Sequence, residues 1–201
     1  MPKSGLTRAA VYAGSLLAVV ALALFTARLA AGVLHENRTG DLLRERQQAR
    51  REFTEELLRS TNTLSKCSSL HEYSFEDLDG NPVALSTLPR EPLLLVFIDP
   101  LCEGCDAELK EINEVVPQGE ANDRIIVISS GDRESLQEKL SGISPRCRIL
   151  VDPGSDYVFQ LGIYTFPFNV LIDDDRVIRD IMAANLDRLD LRQFIEKKRL
   201  E

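Results

Sequence analysis

The pattern of apolar and polar positions divides the 201-residue chain into three stretches. Ala9 to Ala27 carries no charged residue and is rich in Ala, Leu and Val. As a helix that run is roughly 28 Å long, close to the thickness of a bilayer core. Arg28 interrupts it, placed to snorkel toward head groups, and Leu29–Leu34 continues it. From His35 to Lys66 the chain is charged and rich in Arg and Glu, with Leu42/Leu43, Ala49, Phe53, Leu57 and Leu64 at roughly helical spacing. Glu55 and Arg59 form a favourably ordered i,i+4 pair on that helix. The expected organisation is a membrane anchor over 1–34, a charged helical linker over 35–70 and a folded domain over 71–201.

Within the domain, short apolar runs alternate with helical periodicity. Tyr73–Leu85 predicts two short strands around Asp79-Gly80-Asn81-Pro82, whose residues suit a turn. Leu93–Ile98 (LLLVFI) is continuously apolar, as a strand buried on both faces requires. A helix follows Cys105 and stops at about Val116, before Pro117. Arg124–Ser129 is a second buried strand, and Asp132 caps a helix running to about Leu140. Arg148–Val151 is a short strand, and Ser155 or Asp156 is the expected cap of a turn of helix ending near Leu161-Gly162. Pro167 opens a strand, a position where proline is tolerated, and Asp173–Arg176 turns it back into Val177–Met182. Asp187 caps a last helix, with Leu191, Phe194 and Ile195 on one face. The order β–α–β–α–β, then a hairpin and a helix, implies an α/β three-layer sandwich with a mixed sheet.

The net charge of −8 and the lack of any basic-aromatic stripe argue against nucleic acid as a partner. Lys3 and Arg8 ahead of the apolar run suit a cytoplasmic N-terminus, although Arg38, Arg44 and Arg46 weaken that signal. An uncleaved anchor is preferred to a signal peptide cut near Ala30-Ala31-Gly32, because the run is longer than a usual signal core. Either reading exports the rest of the chain, and with the anchor kept the expectation is a single-pass protein of a bacterial-type cell membrane, with its C-terminal domain on the periplasmic side. Disulfide chemistry persists there. The stripe along the stalk is too ragged to establish a coiled coil and leaves open a weak homodimer.

Four cysteines are present, Cys67, Cys102, Cys105 and Cys147, and only Cys102-Glu103-Gly104-Cys105 is a local pair. A buried strand, a tight turn and a helix starting at a CxxC place the first thiol where free N–H groups and the helix dipole favour a thiolate. Cys102 is therefore the candidate nucleophile and Cys105, one turn on, the resolving thiol. Glu103 and Asp106 bring negative charge close to Cys102, which disfavours its thiolate and makes the couple less oxidising. The expectation is a reductant or moderate exchanger; the same carboxylates also suit a helix N-terminus. For Cys67 and Cys147 a structural disulfide is preferred over a free buried thiol or a second relay pair. His71, four residues after Cys67, is an ordinary loop histidine rather than a metal ligand, since no second ligand pair stands nearby.

The first hairpin "LDGNPVALSTL", the strand running into Cys102–Cys105, "VDPGSDYVFQLGIYTFP" and "NVLIDDDRVI" together resemble the thioredoxin-like superfamily. More narrowly, the chain is similar to the TlpA/ResA-like membrane-anchored thiol–disulfide oxidoreductases over roughly Tyr73 to Lys198. The resemblance implies a thioredoxin-like fold and a cis Pro167 set against Cys102, so that the backbone of Phe166 meets an incoming chain. It also implies protein thiol or disulfide substrates and an upstream electron donor or acceptor. No cofactor is expected, and a metal site is disfavoured because it would need Cys67 or Cys147 and His71 brought to the CxxC pair. Leu101 stands where that family usually has Trp, the intervening pair lacks the common Pro, Phe166 and Phe168 replace smaller residues, and Asp106 follows the second cysteine. These departures bear on substrate and potential rather than on reaction class. Asp106 also excludes a haem-attachment motif, which needs His there. A peroxidatic cysteine is disfavoured by the missing Pro and Thr/Ser ahead of Cys102. The non-enzyme alternative is a tethered scaffold that keeps the fold without turnover.

Overall fold

A computed structural model describes residues 28, 42, 44–59, 64–117 and 122–196. The chain divides into two compact units, Met1–Ala49 and Arg50–Glu201. The anchor expected over 1–34 lies outside the described residues, apart from Arg28. Among the described residues no helix is long and apolar enough to cross a membrane.

The second unit begins inside the stretch assigned to the linker. Helical residues 50–59 (α1) bury Thr54 and pack Leu57 and Leu58 on the core, and Leu64 and Leu70 are buried after them. Seven strands follow in one sheet: β1 (Ser74–Glu76), β2 (Pro82–Ala84), β3 (Leu93–Ile98), β4 (Asn122–Ser130), β5 (Cys147–Asp152), β6 (Phe168–Ile172) and β7 (Ile178–Met182), in the order β2-β1-β5-β4-β3-β6-β7. Among the described residues four further α-helices belong to the unit: α2 (Glu103–Val115), α3 (Arg133–Lys139), α4 (Asp156–Gln160) and α5 (Arg188–Glu196). β3 runs parallel to β4 and antiparallel to β6, so the sheet is mixed.

Alternation along β3 sets the two cores. Leu93, Leu95 and Phe97 join Phe75, Tyr157, Phe168 and Val170 on one face, where α1 and α4 lie. Leu94, Val96 and Ile98 meet Cys105, Leu109 and Ile112 of α2, Leu136 of α3 and Leu191 of α5 on the other. All six β3 residues are buried, which is why the strand has no polar position to spare. α2 follows the spacing Cys105, Leu109, Ile112 and Val116. Its last carbonyls are capped by Arg146, whose Nη1 donates to Asn113 O at 2.7 Å and Val116 O at 2.8 Å.

Local chemistry differs from the expected pattern at α4. Ser155 occupies the N-cap position but makes no cap bond. Asp152 caps instead: its carboxylate accepts from Tyr157 N at 3.2 Å, Val158 N at 2.9 Å and the Tyr73 hydroxyl at 2.8 Å. Asp132 and Asp187 cap α3 and α5 as expected, accepting from Ser135 N at 2.8 Å and from Leu189 N and Asp190 N at 2.9 Å.

The preferred Cys67–Cys147 disulfide is incompatible with this topology. Cys67 N donates to Ile178 O, beyond the β7 edge, whereas Cys147 starts β5. Five strand spacings of about 4.8 Å separate them, against the ~4–7 Å between Cα atoms that a disulfide requires. Cys67 is exposed, Cys147 is buried, and both are free thiols.

Candidate active site

Where β3 ends, Asp99 builds the turn that presents the two cysteines. Its main-chain O accepts from Cys102 N at 3.1 Å. Its carboxylate accepts from Leu101 N at 2.7 Å and from the Ser130 hydroxyl at 3.1 Å. The turn leaves Leu101 89% exposed and hands Cys102 to the N-cap position of α2.

Cys102 is half-buried, and its Sγ accepts from Cys105 N at 3.2 Å. A thiolate at this position meets a helix N–H and the positive end of the helix. The Cys102 thiol donates to Phe166 O at 3.4 Å. The Phe166–Pro167 peptide is cis, as the resemblance implied. Gly104 sits between the parts: a methyl group built on it lies 3.7 Å from Cys102 Sγ, 3.7 Å from Pro167 Cδ and 3.6 Å from Asn185 Oδ1. Pro167 therefore faces the CxxC turn. Phe166 is half-buried and packs against both cores, and Phe168 is buried within one of them.

Cys105 is fully buried behind Cys102. Burial pushes its thiol well above the ordinary range, and the adjacent Cys102 adds to the rise, while the Asp99 backbone and the Lys139 charge oppose it. Of the two carboxylates expected near Cys102, Glu103 is exposed. Asp106 is engaged by Lys139 Nζ at 2.7 Å, so much of its charge is offset. Lys139, its side chain 7% exposed, also donates to Pro100 O at 3.1 Å and Cys102 O at 2.8 Å. It ties α3 to the turn that carries the cysteines.

Three further residues complete the surroundings, and spacing points to only one of them, Glu108. Lys139 comes from another helix. Glu108 is fully buried on α2, and its Oε2 accepts from Leu186 N at 2.9 Å and Asn185 Nδ2 at 3.1 Å, while Oε1 has no protein partner. Burial pushes this carboxyl up to about 8, against those two bonds and the Arg50 charge. Asn185 Nδ2 also donates to Gly104 O at 2.8 Å. A signal for Glu108 did exist: it is a charged residue on the same face as Cys105, Leu109 and Ile112. His71 is engaged elsewhere, 2.9 Å from Gln160 Oε1 and edge-on to the Tyr157 ring. Among the described residues no cluster of ligand side chains fits a metal ion.

A thiol at a helix start, a second thiol buried behind it and a facing cis-proline, all on this mixed sheet, define the thioredoxin-like class of fold. The chain belongs to the AhpC/TSA family, whose model matches residues 68–181 and so includes both cysteines and Pro167. Among curated relatives, an uncharacterised protein of Haemophilus influenzae is 23% identical over 137 residues, 65% of this chain and 88% of that one. The thiol-disulfide oxidoreductase ResA of Bacillus cereus is 23% identical over 124 residues, 60% of this chain and 71% of ResA. Among solved structures, the thioredoxin domain of a thiol-disulfide oxidoreductase from Bacteroides vulgatus superposes with a TM-score of 0.54 at 22% identity, covering 67% of this chain and 98% of that one. StoA from Bacillus subtilis does so at 0.52 and 12% identity, covering 64% and 100%. The functionally named relatives and neighbours are thus thioredoxin-like thiol–disulfide oxidoreductases.

Proposed function

We propose that the protein is a membrane-tethered thiol–disulfide oxidoreductase working on protein partners on the extracytoplasmic side, as a reductant or moderate exchanger. The observation that carries this reading is the Cys102 thiol at the start of α2, 3.2 Å from Cys105 N and 3.4 Å from Phe166 O, with Cys105 buried behind it. The charge-free run Ala9–Ala27 supports the tether.

In the reducing direction the Cys102 thiolate attacks a partner disulfide. A mixed disulfide forms and one partner thiolate leaves. Cys105 then loses its proton and attacks Cys102 Sγ, breaking the intermolecular bond and releasing the second partner thiolate. The pair is oxidised by two electrons, the partner is reduced by two, and the two protons end on the partner thiols. The Phe166 backbone forms the shelf on which the partner chain lies beside Cys102, with the buried Pro167 supporting it from within. A buried Cys105 whose thiol is held protonated is a poor leaving group, which stabilises the oxidised pair and supports a couple on the reducing side.

Replacing Cys105 by Ser in cells and isolating thiol-sensitive adducts tests the reading. The expected result is a mixed disulfide through Cys102 that disappears on adding Cys102→Ser. Adducts that survive loss of Cys102, or biological activity that persists in Cys102→Ser alone, would instead support a scaffold without turnover.

A further inference from the structure

The loop that touches the cysteine turn is held from the far side by the first helix of the domain. Asn185 lies in the connection between β7 and α5, and its amide joins Gly104 O to the Glu108 carboxyl group. Asn169 Nδ2 of β6 donates to the neighbouring Ala184 O at 2.8 Å, and Leu186 N donates to Glu108. The restraint on the Asn185 main chain itself comes from α1. Arg50 donates to Asn185 O and also bonds Asp187 Oδ2 at 3.1 Å and Asp190 Oδ2 at 2.9 Å. One turn on, the buried hydroxyl of Thr54 accepts from Ala183 N at 3.0 Å and donates to Arg50 O at 2.8 Å. Residues 183–187 are thus bonded to α1 at both ends and to the CxxC turn in the middle.

Resting on the thiol-exchange reading above, we propose that Arg50 is a positioning residue for the Cys102–Cys105 pair, acting through Asn185. The planar guanidinium suits this, since it serves three acceptors in a fixed fork and its side chain is only 19% exposed. A segment that looks like a charged stalk in sequence becomes part of the redox machinery, through the Arg50 bonds to the loop rather than through the packing of α1. Burial of Thr54 supports the same conclusion, because a helix serving only as a solvated spacer has no reason to place a hydroxyl at 3% exposure against a main-chain N–H.

The test uses the full chain in a Cys67→Ser background, so that the exposed thiol does not consume the probe. The reduced protein reacts with 4,4′-dithiodipyridine, a small aromatic disulfide, and the rate of pyridine-thione release is read optically. Arg50→Ala and Asn185→Ala are each expected to slow the reaction about tenfold, the scale at which a displaced supporting residue acts. The double variant is expected to match Asn185→Ala within about twofold, since both substitutions act along one path. Leu58→Ala, which loosens the packing of α1 without touching the loop, is expected to lower stability toward urea and leave the rate within about twofold of the parent. An Arg50→Ala rate equal to the parent's, a slowing shared with Leu58→Ala, or losses that multiply in the double variant would each overturn the proposal. If the parent does not react, or reacts as fast after Cys102→Ser, the thiol-exchange reading falls with it. A parent that reacts normally beside an unaffected Arg50→Ala sinks only this inference.

Discussion

Glu108→Gln isolates the buried carboxyl that sits three residues after Cys105. The side chain is fully buried and its carboxyl is pushed up to about 8, mainly by burial. In the unfolded chain the same group ionises near 4.5. Below about pH 4.5 both states hold the proton, and the group contributes nothing to the pH dependence of folding. Between 4.5 and about 8 the folded state keeps a proton that the unfolded state has released, so stability falls as pH rises. Above about 8 the loss is complete. At about 1.36 kcal/mol per pH decade, the full effect is on the order of 3–5 kcal/mol, comparable with the whole stability of a small domain. Gln fills the same space, accepts the Leu186 and Asn185 bonds through its carbonyl, and carries no charge at any pH. Urea unfolding of the two reduced proteins from pH 5 to pH 8 measures the difference, in which every other titrating group cancels. Glu108→Gln should gain on the parent steadily across that range. Parallel stability profiles would show that the carboxyl does not titrate as its burial requires, and the reasoning would be refuted.

Two other substitutions probe the surroundings of the thiols and a third the cap of α4. Lys139→Met removes the charge that favours the Cys105 thiolate and frees Asp106, so the resolving step should slow roughly three- to tenfold and the mixed disulfide should accumulate in acid-quenched time courses; an unchanged resolution rate contradicts the role given to Lys139. Asp152→Ala leaves Tyr157 N, Val158 N and the Tyr73 hydroxyl without their acceptor, a cost of about 2–4 kcal/mol in urea unfolding; a loss below about 0.5 kcal/mol would show that water replaces the cap. Gly104→Ala meets only ordinary contacts at 3.6–3.7 Å and should stabilise the protein by about 0.5–1 kcal/mol through α2, as thermal unfolding will report; destabilisation would mean that the turn cannot hold a methyl group beside Pro167.

What the sequence could and could not reveal follows from where each constraint lies along the chain. β3 was legible because a strand buried on both faces has to be apolar at every position. Cys102 and Cys105 were legible because their chemistry depends on a local spacing and a helix start. Pro167 was legible through the resemblance, and its approach to the CxxC turn comes from the fold. Asn185, Lys139 and Arg50 were not legible: their roles arise from contacts 81, 37 and 135 residues apart in sequence, to Gly104, Cys102 and Asn185 respectively. The cap of α4 was misplaced for a related reason. Ser155 has the right residue type, but its φ of 61° sets it apart from a usual capping geometry, and the buried Asp152 reaches the same N–H groups from the end of β5. The Cys67–Cys147 pairing rested on Cys67 lying in a linker with freedom to reach a strand start, and the sequence says nothing about how many strands separate them.

The central claim is that Cys102 and Cys105 act as one two-electron couple with Cys102 meeting the partner. Equilibrating the reduced protein with glutathione and glutathione disulfide, quenching with an alkylating reagent and weighing the peptides tests it most directly. The expected result is that Cys102 and Cys105 escape alkylation together as one intramolecular disulfide, with glutathione found transiently on Cys102 alone of the pair. A protein in which glutathione stays on Cys102 while Cys105 is alkylated, or in which Cys67 alone is oxidised, contradicts the account.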